Sequence, residues 1–329
     1  MILIIPNNPF HEVKNKYIGE IMAAQKAGFN LASYSVVTLK KGIQAKDKEK
    51  GLQLISDAFS EGAKGMPPLI PQKIKTYAIS RGFTLLPNEY AIMYNFLLKH
   101  YNIELIEDAK SYEVNYSLPL YYPYLQDAMP KCSWIYIQEL GISHLNIYET
   151  MEQFNGKPVV IRDWHHSLKH FWETAMFIKN SDDKAEISQI VSNFSAMNSG
   201  FHGGLIVKEF IELEPLGPYP IGEIIASKEY RLLFIDGKLR LSCRYWEEFT
   251  YQIPDDLPVK WLESLAGKVL SQAFFMDVAL TKGGEYKIIE LGTIQFSGFD
   301  KTRINDFYEA IAQVIQERSN PVALLAEKN

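Results

Sequence analysis

The sequence predicts an α+β protein that opens with an α/β domain, and three observations carry that reading. The first block reads strand, helix, strand: an apolar "MILII", helical spacing from about Val13 to Lys26 closed by Gly28, then "LASYSVV". Beyond about Pro130 the pattern changes to strands with helical insertions. Two strand pairs there are joined by Asp236-Gly237 and Gly283-Gly284, both strong short-range hairpin signals.

Taken in order, "PNNPF" follows the first strand, at the carboxyl end where open α/β sheets bind ligands. In "RGFTLLPNEYAIMYNFLLKHYNIELI", Pro87 stands where a helix begins, with apolar spacing to about Leu98 and a short strand beyond. A loop rich in Tyr and Pro, "NYSLPLYYPYLQDAMPKC", separates an N-terminal domain, residues 1–130, from residues 131–329. The second part contains the strand "KPVVIRDW", helices near residues 171–178 and 184–197, and the strand "GGLIVKEFIELE". After these come the hairpin "EYRLLFIDGKLRLSCRYW", a helix near 259–272, the hairpin "FFMDVALTKGGEYKIIELG" and a final helix from about 305 to 317.

Composition bounds the function. With 329 residues, 47% hydrophobic and 22% charged, the chain has length for two or three subdomains. A formal net charge of −5 argues against holding nucleic acid by a general basic surface, although a local basic cleft is compatible with it. Cys132 and Cys243 form neither a disulfide framework nor a zinc spacing, as packed thiols in a reducing compartment would. The short apolar run before Pro6, without a basic leader, leads us to expect a cytoplasmic protein with no membrane span.

Each strand of the last hairpin carries one carboxylate in an apolar run. Taking Gly283-Gly284 as a two-residue turn, Lys282 faces Glu285, Leu280 faces Lys287, Val278 faces Ile289, and Asp277 falls opposite Glu290. Like charges so placed repel. A divalent cation would resolve the conflict, since magnesium takes one or two carboxylates and completes its shell with water and phosphates. A shared proton or a neighbouring Arg or Lys would serve as well. The same counting about Asp236-Gly237 sets Ile235 against Lys238, Leu233 against Arg240, Arg231 against Ser242 and Glu229 against Arg244. One face then carries Glu229, Arg231, Arg240 and Arg244, and the other, with Tyr230, Leu232, Phe234, Leu239, Leu241 and Cys243, is core. The charged face is either solvated surface or a place where guanidiniums grip phosphate or carboxylate.

"VVIRDWHHSLKHFW" ends an apolar strand at Arg162 and crowds His165, His166, Lys169 and His170 into the next turn. This suits a basic lid over anionic phosphates, or a helix start with no ligand. His166 and His170 are four apart, a spacing that can hold zinc, but no Glu follows the first His as a metalloprotease needs. Lys208 and Glu209 lie inside an apolar strand after Gly203-Gly204, where snorkelling charges would read the same.

In this order, "VVIR", "LIVKEFI", the charged hairpin, then "FMDVAL" and "YKIIELG" with their paired acids resemble the ATP-grasp superfamily. The likeness is strongest to a divergent bacterial and phage clade, through "RGF", "HSLKH" and the series Asp277, Val278, Glu290, Gly292, Gln295, Ser297 and Gly298. The resemblance implies an ATP-grasp fold in which two α+β subdomains, about residues 150–215 and 216–329, clamp ATP. It implies Arg162 and Lys169 on the nucleotide phosphates, with Lys208 and the backbone of Glu209, Phe210 and Ile211 at the adenine. Glu229 and Arg231 would lie near the phosphates or substrate, and Asp277 and Glu290 would hold Mg2+. Two departures stand out: Gly292 replaces an Asn that typical members use as a further metal ligand, so that either the metal shell is thinner or Gln295 helps, and a His/Lys-rich turn replaces the Gly-rich phosphate loop.

The implied activity is an ATP- and Mg2+-dependent ligase that joins a carboxylate, on a small molecule or peptide, to an amine through an acylphosphate. Arg162, Arg231 and Glu229 would be its catalytic residues, and the N-terminal domain with its Tyr-rich segment would supply the acceptor pocket. A kinase, a nucleotidyl-transferring ligase and a nucleotide-binding module without turnover are the alternatives.

Overall fold

An apolar strand and the helix after it start the first layer. A computed structural model describes residues 1–7, 13–61, 66–136, 144–164, 167–198 and 203–319. In it β1 (Ile2–Asn7), α1 (Val13–Lys26) and β2 (Asn30–Ser35) form the expected β-α-β unit, the strands pairing in parallel. Gly28, at φ 85°, makes the left-handed turn out of α1. The second strand stops sooner than "LASYSVV" suggests. Ser35 accepts a hydrogen bond from Thr38 N and caps α2 (Val36–Ile43), so both valines are helical. Then follow α3 (Lys48–Ser60), β3 (Thr76–Ser80), α4 (Pro87–Phe96) and β4 (Ile103–Leu105), giving a parallel sheet in the order β2-β1-β3-β4.

The Tyr- and Pro-rich stretch expected as a loop is largely helical, as the end of α5 (Ala109–Tyr116) and as α6 (Leu118–Leu125). Leu118, Tyr121 and Leu125, three and four residues apart, bury one stripe, and Pro119 lies in the first turn, where a missing N–H costs nothing.

A second sheet is antiparallel, in the order β5-β8-β6-β7. It comprises β5 (Cys132–Tyr136), β6 (Val159–Asp163), β7 (Phe177–Ile178) and β8 (Gly204–Glu209), with α7 (His144–Glu152) and α8 (Lys184–Met197) packed on it. The helix expected over residues 171–178 is replaced by two short turns and β7, where Trp172 stacks on Phe177 and Phe177 meets Phe210 edge-on.

A hairpin of β9 (Pro215–Pro218) and β10 (Ile225–Ser227) leads into the third sheet. Its order is β12-β11-β13-β14, from β11 (Glu229–Ile235), β12 (Lys238–Arg244), β13 (Ala273–Leu280) and β14 (Tyr286–Gly292). α9 (Val259–Ala266) ends earlier than expected, at Gly267, and α10 (Ile304–Ser319) closes the described chain. Both faces of this sheet are buried. Leu233, Ile235 and Phe275 share a core with β1, α1 and α10, while Leu232, Phe234, Phe274 and Met276 share one with α6 and α9. Among the described residues no helix is long and apolar enough to cross a membrane. His165, His166 and residues 8–10 of "PNNPF" lie outside the described residues.

Candidate active site

Asp277 does face Glu290, but by a different route from the one the sequence suggests. Gly284 N donates to Thr281 O at 2.9 Å and Thr281 N to Glu285 O at 2.8 Å, so the turn is longer than two residues. Leu280 then faces Tyr286, Ala279 faces Lys287 and Val278 faces Ile288, which replaces the expected pairs Lys282–Glu285, Leu280–Lys287 and Val278–Ile289. A β-bulge between Val278 and Asp277 takes up Ile289 and restores Asp277 opposite Glu290. Ile288 and Leu291 are buried while Ile289 and Glu290 between them are not, so the bulge turns two successive side chains toward the cleft. Lys208 Nζ donates to the bulge carbonyl, Ile289 O, at 2.5 Å.

The β11–β12 hairpin keeps Ile235 opposite Lys238, but a bulge between Phe234 and Leu233 leaves Arg240 unpaired in the ladder. Leu233 therefore faces Leu241, Arg231 faces Cys243 and Tyr230 faces Arg244, so Leu241 and Cys243 move to the face expected to be charged. Neither Arg240 nor Arg244 is left on solvated surface: Arg240 forks onto Glu317 of α10 at 3.2 and 2.9 Å, and Arg244, now opposite Tyr230, donates Nε to Asp300 at 2.8 Å.

Sheet order supplies the partners of the two acids. Arg231 stands directly across from Asp277 and donates Nε and Nη2 to its two oxygens at 2.7 and 2.6 Å. Arg162, at the end of β6, donates Nη1 to Glu290. Burial pushes the Asp277 carboxyl up, Arg231 opposes it and the Glu290 charge adds to it, leaving Asp277 above its ordinary value. At Glu290 burial is overcome by Arg162, Lys208 and Arg231, which hold its carboxyl at about 2. Glu229 accepts from Ser227 Oγ at 2.6 Å and Trp246 Nε1 at 3.1 Å, yet burial pushes it up to about 7. Lys169 Nζ lies over the rings of Tyr245 and Trp246, 4.9 and 4.5 Å from their centroids, and burial lowers its pKa.

Two cavities meet at these residues. A cleft of about 530 Å³ opens between the second and third sheets, and the expected site residues Arg162, Lys169, Lys208, Glu209, Phe210, Ile211, Glu229, Asp277 and Glu290 line it. The remaining one, Arg231, lines a neighbouring pocket of about 190 Å³ together with Asn115, Tyr116 and Tyr121 of the N-terminal region. Arg162, Lys208 and Glu290 line both, so the Arg162–Glu290 pair is the partition between them.

The sequence reading missed the walls of the large cleft. Trp172, Met176, Tyr245 and Trp246 line it; for Tyr245 and Trp246 the only signal was an aromatic run, "CRYW", at the end of a hairpin. It also missed the β9–β10 hairpin, which the Glu223 carboxylate ties to the opposite wall by accepting from Glu173 N at 2.8 Å and Thr174 Oγ1 at 2.9 Å. Two expected contributions are changed. The amides of Glu209 and Phe210 are engaged by Lys131 O and Pro158 O, so neither donor is offered to an adenine. Gln295 donates Nε2 to Phe83 O at 2.7 Å and lines neither cavity, so it does not stand in for the missing Asn. At Gly292 a Cβ would lie 2.6 Å from Ser297 Oγ, so the Ser297 hydroxyl takes the room a side chain there would need.

Residues 151–311 match the model of an ATP-grasp domain, family 3 of the R-two-K clade. This chain carries an ATP-grasp domain. Among solved structures, the ATP-grasp fold seen here is similar to a RimK domain protein ATP-grasp from Sphaerobacter thermophilus DSM 20745, with TM-score 0.57 and 14% identity over 95% of this chain and 98% of that one. It is similar also to D-cycloserine synthetase DcsG, with TM-score 0.55 and 11% identity over 96% and 100% of the two chains. The ATP-grasp ligase PsnB, solved with a minimal precursor, Mg and ADP, gives 0.52 and 12% over 95% and 96%. No curated protein matches the ATP-grasp chain in sequence.

Proposed function

We propose that this ATP-grasp protein is an ATP- and Mg2+-dependent ligase that activates a carboxylate as its acylphosphate and passes the acyl group to an amine. The observation that carries the proposal is the shared wall of two cavities, in which Arg162, Lys208 and Glu290 face both. The larger cleft, walled by Trp172, Met176 and Phe210, suits a nucleotide base at its apolar end and phosphates at its charged end. The smaller pocket would hold the acid. A substrate carboxylate oxygen attacks the γ-phosphorus at the partition and ADP leaves; the amine then attacks the acyl carbon, loses a proton and expels inorganic phosphate.

Phosphoryl transfer asks positioning and charge neutralisation of a protein rather than covalent chemistry. Arg162 neutralises the transferred group, Lys169 approaches the phosphates from the opposite wall, and Arg231 holds Asp277 in place. Glu229, with its carboxyl at about 7, holds a proton beside the phosphates near neutrality. Asp277 and Glu290 fit a magnesium ion: both are carboxylates, they are cross-strand neighbours, and both line the large cleft. Among the described residues no group of three or more His, Cys, Asp or Glu is arranged for a metal, and magnesium on nucleotide phosphates needs only one or two. When bound there it would supply charge neutralisation at the phosphates. The same reading treats residues 1–130 as the acceptor side and 131–329 as the nucleotide-binding unit.

The test is product analysis with ATP, Mg2+ and pools of acids and amines, including peptides. ADP, inorganic phosphate and an amide are expected. A phosphate ester would indicate a kinase, AMP with pyrophosphate a nucleotidyl transfer, and binding without turnover a nucleotide-binding module.

A further inference from the structure

Asp277 and Glu290, the two acids that would hold magnesium on the reading above, each have a guanidinium against them already. Resting on that reading, we infer that Arg162 makes this acid pair selective for a divalent cation carried on a polyphosphate and closes it to the free cation. The two arginines are held very differently. Arg231 has all three guanidinium nitrogens engaged: Nε and Nη2 fork onto the two Asp277 oxygens at 2.7 and 2.6 Å, and Nη1 donates to Gly298 O. Its guanidinium carbon also lies 4.7 Å from the Tyr245 ring centroid and 5.7 Å from that of Phe275. Withdrawing Arg231 would break a bidentate pair, a carbonyl bond and two ring contacts together, so it is a fixed clamp on Asp277.

Arg162 is the movable partner. It stands at the end of β6, in a different sheet from Glu290, and among the described residues it bonds only Glu290 and the carbonyl of its own neighbour Asp163, the latter at 3.2 Å. It lines both cavities, so the space on either side of it is open. Leaving Glu290 therefore breaks one ion pair and no packing, but at 20% and 22% exposure neither charge can be left unmatched cheaply. A free cation that took Glu290 would strand the Arg162 guanidinium and would also approach Lys169, Lys208 and Arg231. A cation carried on a polyphosphate exchanges the partners instead: phosphate oxygens receive Arg162 as the cation receives Glu290, and every charge stays paired. The exchange is reciprocal, so the cation strengthens polyphosphate binding by the factor by which the polyphosphate strengthens cation binding.

The experiment is titration of the full chain, free of nucleotide, with Mn2+, which shares magnesium's preference for oxygen ligands and whose unbound fraction is read by paramagnetic resonance. Arg162→Gln should bind Mn2+ about tenfold or more tightly than wild type, because Glu290 is no longer occupied. Lys169→Met removes the same charge from the same cleft and bonds neither acid, so it should gain at most about threefold. Adding Glu290→Gln to Arg162→Gln should cancel the gain. Wild type binding Mn2+ as tightly as Arg162→Gln would overturn the inference, as would an equal gain in Lys169→Met or a gain that survives Glu290→Gln. Should Arg162→Gln not fold in metal-free buffer, millimolar Mn2+ should restore its circular dichroism through the freed acids, and failure to restore it would count against the inference equally. In a second arm, Mg2+ should raise the affinity of wild type for a non-hydrolysable ATP analogue about tenfold or more, and that of Arg162→Gln by less. An equal rise in both would also overturn it. An analogue that binds neither with nor without Mg2+ would instead remove the nucleotide reading, while the Mn2+ comparison on the free protein stands or falls by itself.

Discussion

At the residue scale, Glu290 stands between Asp277, which repels it, and Arg162, which neutralises it. Replacing it with Gln relieves the first and strands the second. The Arg162 and Glu290 side chains are only 20% and 22% exposed, so the stranded guanidinium should dominate, and apo Glu290→Gln should lose about 1–3 kcal/mol. Its magnesium-nucleotide stabilisation should also shrink. Melts with and without Mg2+-ATP check both, and an apo variant as stable as wild type would show that repulsion outweighs the arginine. Glu229 makes a separate pH prediction. Its carboxyl rises from 4.5 to about 7 on folding, so the folded state holds the proton more tightly. The stabilisation is complete below about 4.5 and is lost as pH rises to about 7. Glu229→Gln keeps an oxygen for Ser227 and Trp246, so denaturant melts at about pH 5 and about pH 8 should show a smaller decline than in wild type.

At the element scale, the β9–β10 hairpin is tied across the cleft by an exposed carboxylate rather than by a core. Glu223→Ala should therefore change global stability by less than about 0.5 kcal/mol. Amide exchange over residues 215–227 should become faster and KM for ATP should rise. A fall in melting temperature with unchanged exchange would make Glu223 a structural residue. Leu232 is the contrasting case: it is fully buried in β11, and Leu232→Ala should cost about 2–5 kcal/mol in denaturant melts. Turn residues announced both hairpins, because Asp-Gly and Gly-Gly have few other uses between apolar runs. The bulges at Ile289 and Arg240 were not legible, since an extra ladder residue has no composition of its own and follows from what the strand must pack against.

At the scale of the whole molecule, the loop after β14 is held by the N-terminal region from two sides. Arg81 pairs with Glu20 and donates to the carbonyls of Ile294 and Ser297, while Glu107 accepts from the amides of Ile294 and Gln295 at 3.1 and 3.2 Å. One hydrophobic core also joins Leu3, Ile5 and Ile21 to Phe275, Phe307 and Ile311. Calorimetry should accordingly give a single transition, and two resolved transitions would mean that this core does not couple the regions. Arg81 is buried at 4% exposure, and Arg81→Met removes both its ion pair with Glu20 and its hydrogen bonds to the loop carbonyls, so the change should cost about 3–5 kcal/mol in denaturant melts.

The sequence by itself determined the α/β opening, the antiparallel hairpins and the placing of Asp277 and Glu290 on one of them, because strand alternation, helical spacing and turn chemistry act over a few residues. Most of the expected site residues that line the large cleft were named through the family resemblance rather than through local pattern. Tertiary structure decided what neutralises the two acids. Arg231 reaches Asp277 only because β11 lies beside β13, and Arg162 reaches Glu290 across 128 residues of chain. It also decided that a helix rather than a loop walls the small pocket, since Tyr121 becomes an inward-facing residue only once a core is there to receive it. Local pattern specifies which way a side chain faces within its own element, and the partner it meets is set by sheet order and packing between elements far apart in sequence.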